Sequence, residues 1–152
     1  MTEISSTDLT EQPTAVVRAT IRMDELRPFF DGVFSKVVEA VQGAGARVTG
    51  PPFAMYHGMP GETIDLEAGF PIAGSFTGAE GVTASVLPGG SAVQATHVGP
   101  YEGLAETYQE MGEWMQRQGL TPGESMWEMY LTDPSAEPDP ATWRTEVYWP
   151  TR

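Results

Sequence analysis

The sequence predicts an α+β fold made of two pseudo-symmetric strand-helix-strand-strand modules. Three observations carry the prediction. Two stretches, Leu26 to Val41 and Leu104 to Met115, place apolar residues three and four apart, the stripe of an amphipathic helix. Each is preceded by one alternating stretch and followed by two, and a period of two is the pattern of strands. The last strands of the halves overlay without a gap, Ile64 to Pro71 on Trp143 to Pro150, which places Glu67 on Glu146 and Phe70 on Trp149.

Taken in order, residues 1–15 are polar, with at most a short edge strand at Glu3–Leu9, and Ala15–Ile21 reads as a strand. Asp24 is placed to cap the first helix, and Pro28 falls where a first turn tolerates it. Leu26, Phe29, Phe30, Val33, Phe34, Val37, Val38 and Val41 form the helix stripe, and Gly43 and Gly45 end it. Strands Phe53–His57 and Thr63–Phe70 follow, joined by a Gly58-Met59-Pro60-Gly61 turn. Residues 74–80 read as a linker, and Gly81–Leu87 with Ser91–Val98 as a hairpin around Pro88-Gly89-Gly90. Gly99-Pro100-Tyr101 opens the second helix, which carries Leu104, Tyr108, Met111 and Met115 on one stripe until Gly119. Strand Ser125–Leu131, a loop rich in Asp and Pro with a turn at Asp133-Pro134, and the closing strand complete the chain.

The repeat units run from about 3 to 73 and 81 to 151 within a single domain, 1–152. Tyr56 falls on Tyr130; 11 residues separate Tyr56 from Glu67 and 16 separate Tyr130 from Glu146, a five-residue insertion in the second loop. Sites favour the meeting of two such halves, because a cleft forms there.

Composition bounds the function. Hydrophobic residues make up 40% and charged ones 19%, a globular balance. There is no Cys, which excludes disulfides, thiolate metal sites and a Cys nucleophile, and fits a reducing cytoplasm. Acidic residues outnumber basic ones 21 to 8, giving a formal net charge of −13. That field opposes nucleic acid and anionic membranes, so neither direct DNA binding nor membrane binding is expected. The N-terminus has no basic or apolar leader, and no run approaches the roughly 18 apolar residues of a membrane span.

Strand parity locates the acids. Glu67 and Glu146 alternate against the apolar residues that must cover each helix. On the neighbouring strands Trp127, Met129 and Leu131 alternate against Glu128 and Tyr130, and Phe53 and Met55 against Ala54 and Tyr56. With the larger apolar rows on the helix side and no bulge, Tyr56, Glu67, Glu128, Tyr130, Glu146 and Tyr148 all point away from the helices. That face is either open solvent or a cleft. An aromatic cleft with a central carboxylate suits a flat lipophilic cation, which needs stacking area and a counter-charge.

Several ordered motifs carry a family resemblance. His97-Val98-Gly99-Pro100-Tyr101-Glu102-Gly103-Leu104, Trp114, Trp127-Glu128-Met129-Tyr130-Leu131-Thr132-Asp133-Pro134 and Thr145-Glu146-Val147-Tyr148-Trp149-Pro150 closely resemble the GyrI-like small-molecule-binding family, which also supplies effector-binding domains to AraC- and MerR-type regulators. Asp65-Leu66-Glu67-Ala68-Gly69-Phe70-Pro71 and Leu87-Pro88-Gly89-Gly90 agree in the first half. The resemblance implies a concave antiparallel sheet, two main helices and a pocket between the modules with Glu146 as its central acid. It implies a hydrophobic, often cationic ligand. Some stand-alone members hydrolyse cyclopropane-containing DNA-alkylating natural products, and the founding type binds DNA gyrase. No basic helix-turn-helix flanks the domain, so a stand-alone copy is expected, not a transcription factor.

The candidate ligand-binding residues are Tyr56, Glu67, Tyr101, Trp127, Glu128, Tyr130, Glu146 and Tyr148. In a hydrolase Glu146 would be the acid or base, with Tyr101 as a proton donor. Tyr101 either presents its hydroxyl to the pocket or packs between helix and sheet, and Trp127, by parity, is core unless a bulge rotates it. His57 and His97 have no partner at metal-ligand spacing, so they read as structural, and no metal or cofactor is expected. The leading expectation is a binding protein for hydrophobic or cationic small molecules. A hydrolase using the same glutamate is the alternative, and a protein partner of the gyrase type is a third reading.

Overall fold

The computed structural model describes residues 3–58, 61–79, 81–132 and 136–151. Met59-Pro60, the centre of the first expected turn, and the expected turn at Asp133-Pro134 lie outside them. The described strands are β1 (Glu3–Leu9), β2 (Gln12–Arg22), β3 (Arg47–Val48), β4 (Phe53–His57), β5 (Thr63–Ala73), β6 (Thr83–Leu87), β7 (Gly90–Val98), β8 (Ser125–Tyr130) and β9 (Arg144–Pro150). The two main helices are α1 (Leu26–Gly43) and α2 (Leu104–Gln118). The chain divides into two compact units, Thr10–Gly89, and Met1–Leu9 with Gly90–Arg152.

In the Thr10–Gly89 unit the strands run β4-β5-β2-β6, all antiparallel, with β3 on the far end of β5. Val33, Val37, Ala40 and Val41 of α1 bury against Ala15 of β2 and Ala68 and Ile72 of β5, with Phe34 and Phe70 packed around them. Asp24 is not the helix cap that the sequence suggests. One 3₁₀ turn, Met23–Glu25, precedes α1, so Asp24 lies inside it and accepts from Arg22 Nη2 at 2.7 Å. Capping passes to Glu25, whose Oε1 accepts the Arg22 backbone N–H at 2.9 Å. Pro28 sits in the first turn of α1, where its missing donor costs nothing.

Of the described glycines, Gly69 leaves the least room for a side chain. A Cβ there would lie 1.9 Å from the carbonyl oxygen of Ala15 on β2, so no side chain fits without moving one of the strands.

In the other unit the order is β1-β7-β9-β8, again antiparallel. Leu104, Met111 and Met115 of α2 pack on Val93, Ala95 and Val147. Full burial of each methionine contributes about 1.5–3 kcal/mol. Gly119 ends α2 in the left-handed conformation, φ 73°, where a Cβ would be strained. His97 pins the start of α2: Nε2 lies 2.8 Å from the Pro100 carbonyl, which only accepts, so Nε2 carries a hydrogen, and Nδ1 meets Thr107 Oγ1 at 3.0 Å. The ring rests on Gly103, whose Cβ would come 2.8 Å from Cε1.

The expected hairpin of the seventh and preceding strands is not formed. β6 pairs with β2, and β7 with β1 and β9. The reason is that Pro88-Gly89 lies where the chain passes from one unit to the other, so each strand meets the edge of its own unit's sheet. The result keeps the repeat in step: β2, α1, β4 and β5 correspond to β7, α2, β8 and β9, and β6 and β1 each supply an outer strand.

Candidate functional site

Directly opposed residues on antiparallel strands share a face, so register decides what each side chain meets. On β9, Val147 and Trp149 pack with α2, and Glu146 and Tyr148 point the other way. The same holds for Glu67 on β5, whose neighbours Ala68 and Phe70 pack with α1.

The strands beside them run opposite to the parity expected. Trp127 opposes Tyr148 and Met129 opposes Glu146, so both lie on the face away from α2. Met126 packs with α2, and Glu128 and Tyr130 oppose Val147 and Thr145 on that helix side. In the Thr10–Gly89 unit, Met55 opposes Glu67, and Tyr56 opposes Leu66 on the α1 side. Glu128 and Tyr130 are therefore not on the face of Glu146, nor Tyr56 on that of Glu67, and Trp127 is on the face of Glu146. The physical reason is that both rows of β4 and β8 are apolar enough to be buried, so alternation within one strand leaves the choice to pairing with the next.

What results is a three-strand grid centred on Glu146. Trp127, Tyr148 and Gln94 form one row, and Met129, Glu146 and Thr96 the next. Arg144 and Val98 form the third, and Leu131 follows Met129 beside Arg144 through its backbone N–H to the Arg144 carbonyl, 3.0 Å. Trp127 stacks on Tyr148, ring centroids 5.5 Å apart and planes at 21°. Trp127 is 2% exposed, and its indole N–H has no acceptor among the described residues.

The Glu146 carboxylate is partly buried and held by neutral donors. Gln94 Nε2 donates to Oε2 at 2.9 Å, and the Tyr148 hydroxyl donates to Oε1 at 3.2 Å. Burial, then the neighbouring Glu146 charge, pushes the Tyr148 phenol up to about 12, so it stays a donor at physiological pH. Among the described residues Glu146 forms no ion pair. Gln94 is a contact that sequence reading missed, because it is brought to Glu146 only by the β7–β9 register.

A second cluster lies on the α2 side. Glu128 is 5% exposed and accepts from the Tyr130 hydroxyl at 2.8 Å. Burial raises its carboxyl to about 7, against the lowering effect of that hydrogen bond. Tyr130 meets Tyr101 edge-on at 5.8 Å, and Tyr101 lies 5.0 Å from Trp143. Tyr101 thus packs with Tyr130 and Trp143, away from the Glu146 grid.

Glu67 is closed by its own surroundings. His57 Nε2 lies 2.6 Å from Oε2, and Ser85 Oγ donates to Oε1 at 2.7 Å. The sequence hides both partners, which the β4–β5 and β2–β6 pairings bring in. Among the described residues no three His, Asp or Glu side chains gather as a metal site, and no helix is long and apolar enough to cross a membrane. A surface hollow lined by Ile21, Arg22, Asp24, Glu25, Pro28 and Phe29 contains none of the candidate residues.

Solved structures share this fold. The C-terminal domain of EcmrR matches 100% of this chain and 98% of its own length at 20% identity, TM-score 0.87. In the EcmrR–DNA complex this chain spans 57% of the EcmrR chain, at 21% identity and TM-score 0.86. A protein from Listeria innocua described as a hydrolase matches over 99% of this chain and 92% of its own, at 15% identity and TM-score 0.68. SAV2435, solved bound to tetraphenylphosphonium, matches over 99% and 94% at 10% identity, TM-score 0.65. No curated protein matches the sequence. These likenesses define an α+β class of fold. The sequence model of the GyrI-like small molecule binding domain matches residues 2–152, and the chain belongs to that family.

Proposed function

We propose that this protein binds hydrophobic, cationic small molecules on the sheet face centred on Glu146, for sensing or sequestration. One observation carries the reading: a partly buried carboxylate whose donors are both neutral, beside the Trp127–Tyr148 stack. Gln94 and Tyr148 orient the group without cancelling its charge, so a ligand cation can serve as counter-ion. Tyr148, half-buried and backed by the buried Trp127 ring, supplies flat apolar area for the rest of the molecule. The neighbour bound to tetraphenylphosphonium, a lipophilic cation, supports the ligand class.

Tetraphenylphosphonium tests it, since this ion offers charge and apolar surface and no hydrogen bonds. Calorimetric titration is expected to show saturable binding, weakened about tenfold or more by Glu146→Gln, the scale of one interaction with a charged group. Equal affinity in wild type and variant would sink the proposal.

A hydrolase for cyclopropanoid alkylating compounds is the second reading, supported by the neighbour described as a hydrolase. In it Glu146 is the acid or base, and the Tyr148 hydroxyl, already hydrogen-bonded to it, is a better-placed proton donor than Tyr101. Repeated turnover of such a compound would establish it; one-to-one protection without product rejects it.

A further inference from the structure

The binding face carries a charge that the reading above does not use. Arg144 sits two residues before Glu146 on the same side of β9, about 7 Å along the strand. Its side chain is exposed and, among the described residues, makes no ion pair, although the protein holds 21 acidic side chains. Apolar surface flanks it on both sides: Val98, 56% exposed, opposite on β7, and Leu131, 44% exposed, beside it after β8. Its backbone N–H is held by Thr132 Oγ1 at 3.0 Å, which fixes where the side chain starts.

The internal repeat supplies a comparison. Arg144 overlays Asp65, two residues before Glu67. There the charge is closed by a bidentate pair, Arg18 Nη2 to Asp65 Oδ2 at 2.8 Å and Nε to Oδ1 at 3.2 Å. Glu67 itself is closed by His57 and Ser85. In one unit both charged positions are satisfied internally; in the other, neither Glu146 nor Arg144 has a partner of opposite charge among the described residues.

We propose that Arg144 is a specificity-determining residue and that the ligand is zwitterionic. On the binding reading, a flat apolar ring system places a cationic group at Glu146 and a carboxylate or similar acid at Arg144. A guanidinium presents a planar fork that matches a carboxylate with two parallel hydrogen bonds. Val98 and Leu131 cover the ring edge beside that acid. The net charge of −13 favours plain cations in general, so preference for a zwitterion has to come from a local contact.

Rhodamine B and its ethyl ester test this, because they share one ring system and differ only in whether the carboxylate is free. Wild type is expected to bind rhodamine B about fivefold more tightly than the ester, the scale of an exposed charge pair near 1 kcal/mol. Arg144→Gln, at an exposed position, is expected to fold normally by circular dichroism, to lose that preference and to bind the ester at least as well. It should also bind tetraphenylphosphonium no worse than wild type. A wild-type preference for the ester, no preference, or one that survives Arg144→Gln overturns the inference. So does binding of tetraphenylphosphonium without either dye, which leaves the cation reading standing. Failure of all three probes overturns the binding reading and this inference together.

Discussion

Trp127 lies flat against Tyr148 because β8 and β9 oppose them, and the same register sets Met129 against Glu146. An aromatic wall and an acid are thereby placed on one face, at neighbouring positions of one strand pair. The stack keeps its ring area whether or not the hydroxyl is present, and this separates two roles of Tyr148.

Tyr148→Phe keeps the ring and removes the hydroxyl that donates to Glu146 at 3.2 Å. Tetraphenylphosphonium affinity is expected to stay within about threefold, while Tyr148→Ala, which removes the stack, costs about tenfold, in line with an aromatic contact of about 0.5–1.5 kcal/mol plus lost area. Calorimetry on both variants decides it. A loss as large in Phe as in Ala would mean that the hydroxyl, not the ring, holds the ligand.

Glu128 makes stability fall as pH rises. Its carboxyl is raised from 4.5 to about 7 by burial, so between those values the folded protein keeps a proton that the unfolded chain releases. The stabilisation is complete below about pH 4.5, declines through the interval and is gone above pH 7. Its size is about 3 kcal/mol, from 1.36 kcal/mol per pKa unit. Glu128→Gln keeps an acceptor for Tyr130 and cannot ionise. Its stability relative to wild type should therefore grow by that amount from pH 4.5 to 8 in denaturant titrations. Parallel curves for the two proteins would refute the assignment.

Gly69→Ala tests the close approach of β2 and β5. With a Cβ 1.9 Å from the Ala15 carbonyl oxygen, one strand must shift, at a cost of about 1–3 kcal/mol. A lowered melting temperature with unchanged helix content is expected. Wild-type stability would show that the strands separate freely at this point.

Much of the fold is legible in the sequence, for reasons that lie within single elements. The stripes Val33 to Val41 and Leu104 to Met115 repeat at helical spacing, so the buried sides of α1 and α2 follow from sequence alone. Glu67 and Glu146 sit among residues large and apolar enough that the opposite side of each strand had to carry the charge. Asp24 is not the cap because a 3₁₀ turn carries the start of α1 past it, a shift of one residue that composition does not record.

The sequence by itself determined the two modules, their helices, and Glu146 as an acid facing away from α2. Only the tertiary structure decided its company. Trp127 came to it, Glu128 and Tyr130 went to the helix side, Gln94 arrived from β7, and β6 and β7 parted. Alternation is a property of one strand, but a side chain's neighbours depend on the register of two, and a one-residue slip moves every one of them to the other face.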